Sequence, residues 1–320
     1  MRPARLAQHP AVERLRRTPT TELVRRIRGL ETLKLTTATD DMVRRRLARV
    51  MDAYATKPFI AEGSRVLRAR VNVGSKSYEN LSDLWYPPAD LVGRGRFNRP
   101  GQPVFYAVNE FFAAFFEVRA KLGDHVTVLE CRGADGPIQL KLAHVAVAQY
   151  NLDSATGIVN IDQLRDDARF MGKLRSSGIL KKWERVDGFL CRLATYIPDD
   201  ESTEFYRLSG ALADVLMAIP EVDGLLYPSA ASRQSAVNFR LNADVADRAI
   251  RPTAVWQFVV TRHRHELPGA PPSDDGYFGL DAVRAADSFG PSGQIQWAAP
   301  AEQKRLFRQM ASWRLTRIRA

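Results

Sequence analysis

Apolar residues recur at helical spacing early in the chain. Leu23, Val24, Ile27 and Leu30 share one side of a segment starting near Thr21, and Val43, Leu47, Val50, Met51 and Tyr54 share one side of another starting near Asp40. Both patterns predict amphipathic helices, and Asp40 and Asp41 sit where a helix start favours negative charge. After Pro58 the period shortens. SRVLRARVNV, from Ser64, predicts a strand and is followed by a proline-rich link, WYPPADLVGRG. PVFYAV, from Pro103, predicts another, with Val104, Tyr106 and Val108 on one face and Phe105 and Ala107 on the other. It runs into NEFFAAFFEVRAKLG, where Asn109 as N-cap and Gly123 as stop predict a helix of about 13 residues. HVTVLEC and IQLKLAHVAVAQY are β-branched and alternating, as strands with one buried face would be.

The pattern loosens over residues 151–200, where charges, scattered aromatics and turn signals such as SATG and IPDDES predict short helices and loops. Ser202 or Thr203 then caps a helix carrying Phe205, Leu208, Leu212, Val215, Leu216 and Ile219, ended by Pro220. GLLYPS, from Gly224, and VNFRLN, from Val237, read as strands. AVWQFVVTR, from Ala254, reads as a last one before the linker LPGAPPSDDG, and the tail beyond about residue 300 reads as a basic helix. No repeat at a solenoid period occurs. The architecture expected is α+β: a helical extension over residues 1–60, a strand-rich core over 61–252, and a strand, linker and basic helix over 253–320.

Composition changes this picture little. The chain has 320 residues, 45% hydrophobic and 26% charged, the balance of a folded protein rather than a disordered one. No stretch reaches the roughly 18 apolar residues of a membrane helix, and the opening MRPARLAQHP lacks the apolar core of a secretion signal, so a cytosolic, non-membrane chain is expected. Cys131 and Cys191 are too few for a disulfide framework or a cysteine-rich zinc site. Charge does change the picture, through its location. Of the net +11, residues 1–70 hold 17 Lys and Arg against 7 Asp and Glu, and residues 301–320 hold 6 against 1, which leaves the middle at −4. Nucleic acid or an acidic partner therefore has only the basic ends to bind, and a solvated basic face is the simpler explanation for Arg44, Arg45, Arg46 and Arg49.

Several familiar chemistries lack their residues. The glycines of GRGRFNRPG do not keep the spacing of a dinucleotide loop, no phosphate-binding P-loop, HExxH or paired CxxC occurs, and His263 and His265 have no evident companion ligands, so no metal site is expected. One stretch, from Gly95 to Val118, is denser in useful side chains than packing requires. Arg96 on a loop presents a planar fork suited to phosphate or carboxylate, Tyr106 lies on the strand, and Glu117 stands among phenylalanines with Ala113 and Ala114 on its own helix face. That acid is either exposed on the outer side of the helix or held over a pocket.

These residues resemble the RES domain family. Its pattern is matched by Arg96, Phe97, Asn98, Gly101, Pro103, Val104 and Tyr106, by the carboxylate of Glu117 on the next helix, and by DGLLYPS and the strand after it, which supply Ser229 and Asn238. In LRAR the first family arginine corresponds to Arg68, with Arg70 on the same face as the competing choice. The resemblance implies an ADP-ribosyltransferase-like fold, with a mixed or antiparallel sheet at its core, and an enzyme that consumes NAD by cleaving the nicotinamide–ribose bond, as a glycohydrolase or phosphorylase. It implies Glu117, Tyr106 and Arg96 as catalytic residues, Arg68, Arg96, Ser229 and Asn238 as substrate-binding residues, NAD as substrate rather than cofactor, and a toxin paired with a helix-turn-helix antitoxin. An ADP-ribosyltransferase acting on a macromolecule, and a non-catalytic module binding nucleic acid or a partner through the basic termini, are the alternatives.

Overall fold

The structure is a computed structural model, and it describes residues 10–52, 54, 58–62, 65–134, 139–146, 161–196, 204–220, 222–232, 236–263 and 278–315. The fold is α+β and divides into two compact units, each assembled from separated stretches of sequence. The first takes residues 1–60, 88–103 and 140–230, and the second takes 61–87, 104–139 and 231–320.

The first unit carries the helical N-terminus: α1 (Pro10–Arg17), α2 (Thr20–Glu31) and α3 (Asp40–Met51). Leu23, Ile27 and Leu30 of α2 and Val43, Leu47, Val50 and Met51 of α3 are buried, as their spacing predicts. The cap of α3 is Thr39, whose side chain accepts from the Met42 N–H, and Asp40 is left free to pair with the half-buried Arg207 at 2.7 Å. Residues 151–200 depart from the short helices expected of them. Two helices of 16 residues occupy their described part, α5 (Ile161–Ser176) and α6 (Leu180–Thr195). The aromatics that looked scattered are their contacts: Trp183 stacks on Tyr54 with centroids 5.5 Å apart and meets Phe170 edge-on at 5.4 Å. Lys182 closes the end of α1 by donating to the carbonyls of Leu15, Arg16 and Thr18. Then α7 (Tyr206–Met217) follows the predicted stripe and ends before Pro220, while the expected caps Ser202 and Thr203 lie outside the described residues. Strand β1 (Pro58–Glu62) lies beside β5 (Gln139–His144), which pairs in parallel with the fully buried β6 (Gly224–Pro228).

The second unit is a six-stranded antiparallel sheet. Its order is β7 (Val237–Asn242), β3 (Val104–Val108), β2 (Val66–Val71), β4 (His125–Gly133), β8 (Ile250–His263) and β9 (Phe278–Ala286). AVWQFVVTR is not the last strand, since β9 follows it; the linker between them falls outside the described residues. A short α8 (Ala243–Ala249), unforeseen in the sequence, joins β7 to β8, and the basic tail forms α9 (Pro300–Leu315) as expected. Cross-strand partners project to the same face. Leu67 opposes Val108, and Val108 opposes Asn238, so Val104, Tyr106, Asn238 and Arg240 share one face, while Arg68, Arg70 and Phe105 occupy the other.

The helix after β3 is half the length predicted: α4 runs only from Phe111 to Glu117. Its N-cap is Glu110, which accepts from the Ala113 N–H, because the Asn109 side chain is spent on the Val237 N–H at 3.0 Å. Its end is a Schellman motif in which Ala120 N–H reaches Phe115 C=O and Arg119 N–H reaches Phe116 C=O. Arg119 therefore sits at φ +52°, the place a glycine usually takes, and Gly123 at φ +86° turns the chain into β4 instead. Ala113, Ala114 and Phe115 of α4 are buried in one core with Leu67, Val108, Val128, Trp256, Phe258 and Leu306.

Candidate functional site

The sequence-predicted site residues divide between the units. In the second unit, Glu117 is the last residue of α4. The phenylalanines of FFAAFFE face the core, Phe115 and Phe111 against Phe258 and Phe116 against Phe278, and this turns the glutamate outward, where it is exposed. Its carboxylate does not stand alone: Oε1 accepts a 2.8 Å hydrogen bond from Nδ2 of Asn238. Asn238 is 4% exposed on β7, directly opposite Val108 and on the face that carries Tyr106. Tyr106, Glu117 and Asn238 are thus brought to one side of one sheet, with Tyr106 half-buried.

Arg68 is brought elsewhere. Its guanidinium lies on the opposite face, donating from Nε to the Leu84 carbonyl and from Nη1 to the Tyr106 carbonyl, each at 3.0 Å, with its Cζ 5.6 Å from the centre of the Phe105 ring. Desolvation, reinforced by the nearby Arg70, pulls its pKa down to about 10, so it remains charged at neutral pH. Arg70 donates to the Trp85 carbonyl at 3.3 Å, and Trp85 and Tyr86 in turn donate to the Asp247 carboxylate at 2.9 and 2.6 Å. The two arginines of LRAR do share a face, and both hold the proline-rich link 84–87 by its backbone.

In the first unit, Arg96 donates to the carbonyl of Ala194 near the end of α6, where a cation meets the negative end of the helix, and lies 5.7 Å from the Tyr206 ring. Its own carbonyl accepts from Ser209. The next motif residues are architectural. Phe97 is fully buried with its ring 4.5 Å from that of Tyr227, and Asn98 donates to the Gly93 carbonyl at 2.8 Å. The RFN and LYPS segments, more than 120 residues apart in sequence, therefore meet in one core. Ser229, directly after β6, is fully buried in that unit.

Sequence reasoning overlooked Arg240. It is fully buried, stands directly across from Tyr106, and donates to Asn242. The signal was present in VNFRLN, whose alternate positions Asn238, Arg240 and Asn242 give one strand face of polar residues throughout. The sequence predicts Asn109 as a helix cap, whereas it exchanges two hydrogen bonds with Val237 and so ties the entrance of α4 to β7.

The described residues hold no group of three or more His, Cys, Asp or Glu placed to bind a metal. His144 is buried in β5, His263 stacks on Phe278 at 4.7 Å, and His265 lies outside the described residues. Both cysteines are buried free thiols, and burial pushes that of Cys131 well above its usual pKa. No described helix is long and apolar enough to cross a membrane.

A search among curated proteins returned no match. The family model of the RES domain matches residues 65–261, well over half of the chain, and takes in Arg68, Arg96, Tyr106, Glu117, Ser229 and Asn238. The chain therefore belongs to the RES domain family.

Proposed function

We propose that this protein consumes NAD by breaking the bond between nicotinamide and ribose. The observation that carries the reading is the exposed carboxylate of Glu117, tethered to the buried Asn238 beside the strand face of Tyr106. The nicotinamide of NAD already bears a positive charge, so it departs neutral and needs no general acid. What the reaction needs is stabilisation of the oxocarbenium character that develops on the ribose, as in glycoside cleavage generally. A fixed carboxylate supplies this, and losing a well-aimed electrostatic group commonly costs about 3 kcal/mol, a hundredfold or more in rate.

In this reading Tyr106 offers a ring to the nicotinamide or ribose, and Asn238 completes the hydrogen bonding around Glu117. Arg96 is assigned to the pyrophosphate. It already serves a backbone carbonyl, but a guanidinium has five donors and can add a phosphate oxygen without releasing the first. Arg68, on the sheet face opposite Glu117 and Asn238, holds the link 84–87 and is not assigned to the same dinucleotide. Arg96 and Ser229 enter on sequence grounds, as residues on the family's motif positions. A toxin role with a helix-turn-helix antitoxin is the biological form of the same proposal, and it predicts that expression depletes cellular NAD and arrests growth.

Incubating the purified protein with NAD, with and without inorganic phosphate, tests the reading. Nicotinamide release with ADP-ribose as the second product identifies water as acceptor, and a phosphorylated ADP-ribose identifies phosphate. Transfer of the ADP-ribosyl group to protein or nucleic acid would make it an ADP-ribosyltransferase. Intact NAD under both conditions would overturn the proposal in favour of a binding module.

A further inference from the structure

A glutamate exposed at the end of a seven-residue helix ordinarily samples several rotamers. Glu117 has a specific partner instead, and that partner is buried. Facing a carboxylate, an amide attracts only through its NH2 group, so chemistry alone settles which way the Asn238 side chain is turned. Its Oδ1 then points away from Glu117, buried and without a hydrogen-bond partner among the described residues. Position 238 opposes Val108, which is 3% exposed, and shares its strand face with the buried Arg240. The unpartnered Oδ1 carries a desolvation cost, which the bond from Nδ2 to Glu117 has to offset.

The geometry around the pair is fixed from both ends. The paired hydrogen bonds of Asn109 and Val237 register the entrance of α4 against β7, and the Schellman turn stops α4 at Glu117. The helix is thereby held where its last side chain reaches Asn238.

We infer that Asn238 is a positioning residue: its amide holds the Glu117 carboxylate in the one orientation that the reaction uses. This rests on the NAD-cleaving reading and goes beyond it, because the asparagine then acts on turnover through Glu117 rather than through affinity for the substrate.

The test is a double-mutant cycle in NAD turnover with Asn238→Leu and Glu117→Gln. A hydrogen bond to a charged group predicts a fall in kcat of about 10- to 100-fold for Asn238→Leu. The NAD KM should stay within about twofold, and the melting temperature should be unchanged or higher. In the Glu117→Gln background the second substitution should cost nothing more. Losses that multiply in the double variant, or an effect confined to KM, would overturn the inference. Should Asn238→Leu fail to fold, Asn238→Ala carries the same cycle. A wild-type protein that leaves NAD intact would defeat the NAD reading and, with it, the role in turnover. The pairing itself is read separately, from the Asn238 side-chain amide resonances, which Glu117→Gln should displace; resonances that do not move would overturn the pairing.

Discussion

Single residues carry more of this architecture than their sequence neighbourhood suggests. Arg119 takes a left-handed conformation that costs a side-chain-bearing residue on the order of 1 kcal/mol. Arg119→Gly should therefore stabilise the protein by roughly 0.5–1 kcal/mol in urea unfolding while leaving turnover unchanged; a loss of stability would contradict the Schellman reading. Tyr54 donates to the buried carboxylate of Asp187 at 2.5 Å, and burial, followed by the charge of Asp187, raises its phenol pKa well above the usual value. The folded state thus keeps a proton that the unfolded state loses above about pH 10. The contribution of this group is fully present below that pH and is lost as pH rises toward the folded value. Tyr54→Phe should cost about 1–3 kcal/mol and reduce the alkaline loss of stability, which pH-dependent thermal melts would show. Neither residue announced itself in sequence. A non-glycine C′ position has no compositional signature, and Tyr54 looked like one more apolar position on a helical stripe.

Elements were legible where one period persisted and obscure where contacts override it. The stripes of α2 and α3 and the alternation of β3 translate directly into burial and register, because packing a single face is enough to fix them. The length of α4 was not legible, since its start depends on Asn109 choosing a strand 128 residues away. Its apolar content was legible and is used in full: Phe115 is completely buried among Phe111, Phe258 and Phe278. Phe115→Ala should cost about 3–5 kcal/mol in urea unfolding. A loss below 1 kcal/mol would mean that α4 is not anchored through this ring.

The start of α3 gives a second test at this scale. Arg207 holds the Asp40 carboxyl below its usual range, mainly by hydrogen bonding, with Arg94 adding attraction. The unfolded chain therefore takes up this proton first. The pair contributes stability above about pH 3.8, and that contribution is lost as pH falls through and below this value. Arg207→Met should lower the melting temperature at pH 7 and shrink the decline between pH 5 and pH 3. An undiminished decline would assign acid sensitivity elsewhere.

At the scale of the molecule, several arginines of the N-terminal helices have partners within the protein. In α1–α3, Arg16, Arg25, Arg26, Arg44 and Arg45 pair with acids three or four positions away, and Arg46 donates to the Gly29 carbonyl. Such exposed pairs add little stability, but they lower the density of unopposed charge that a polyanion would meet. What the sequence conveyed about function lay in ordered motifs, and the structure shows why those motifs are spread along the chain: the RFN and LYPS segments build one core, while the carboxylate and its asparagine sit on another unit.

The central claim is that Glu117, held by its asparagine, makes this RES domain an NAD-cleaving enzyme. The most direct measurement is nicotinamide release from NAD by the wild type and by Glu117→Gln, at equal concentration and with matched circular dichroism. Steady release by the wild type, reduced a hundredfold or more in the variant, is the predicted result. Equal release by both proteins, or none by either, would contradict it.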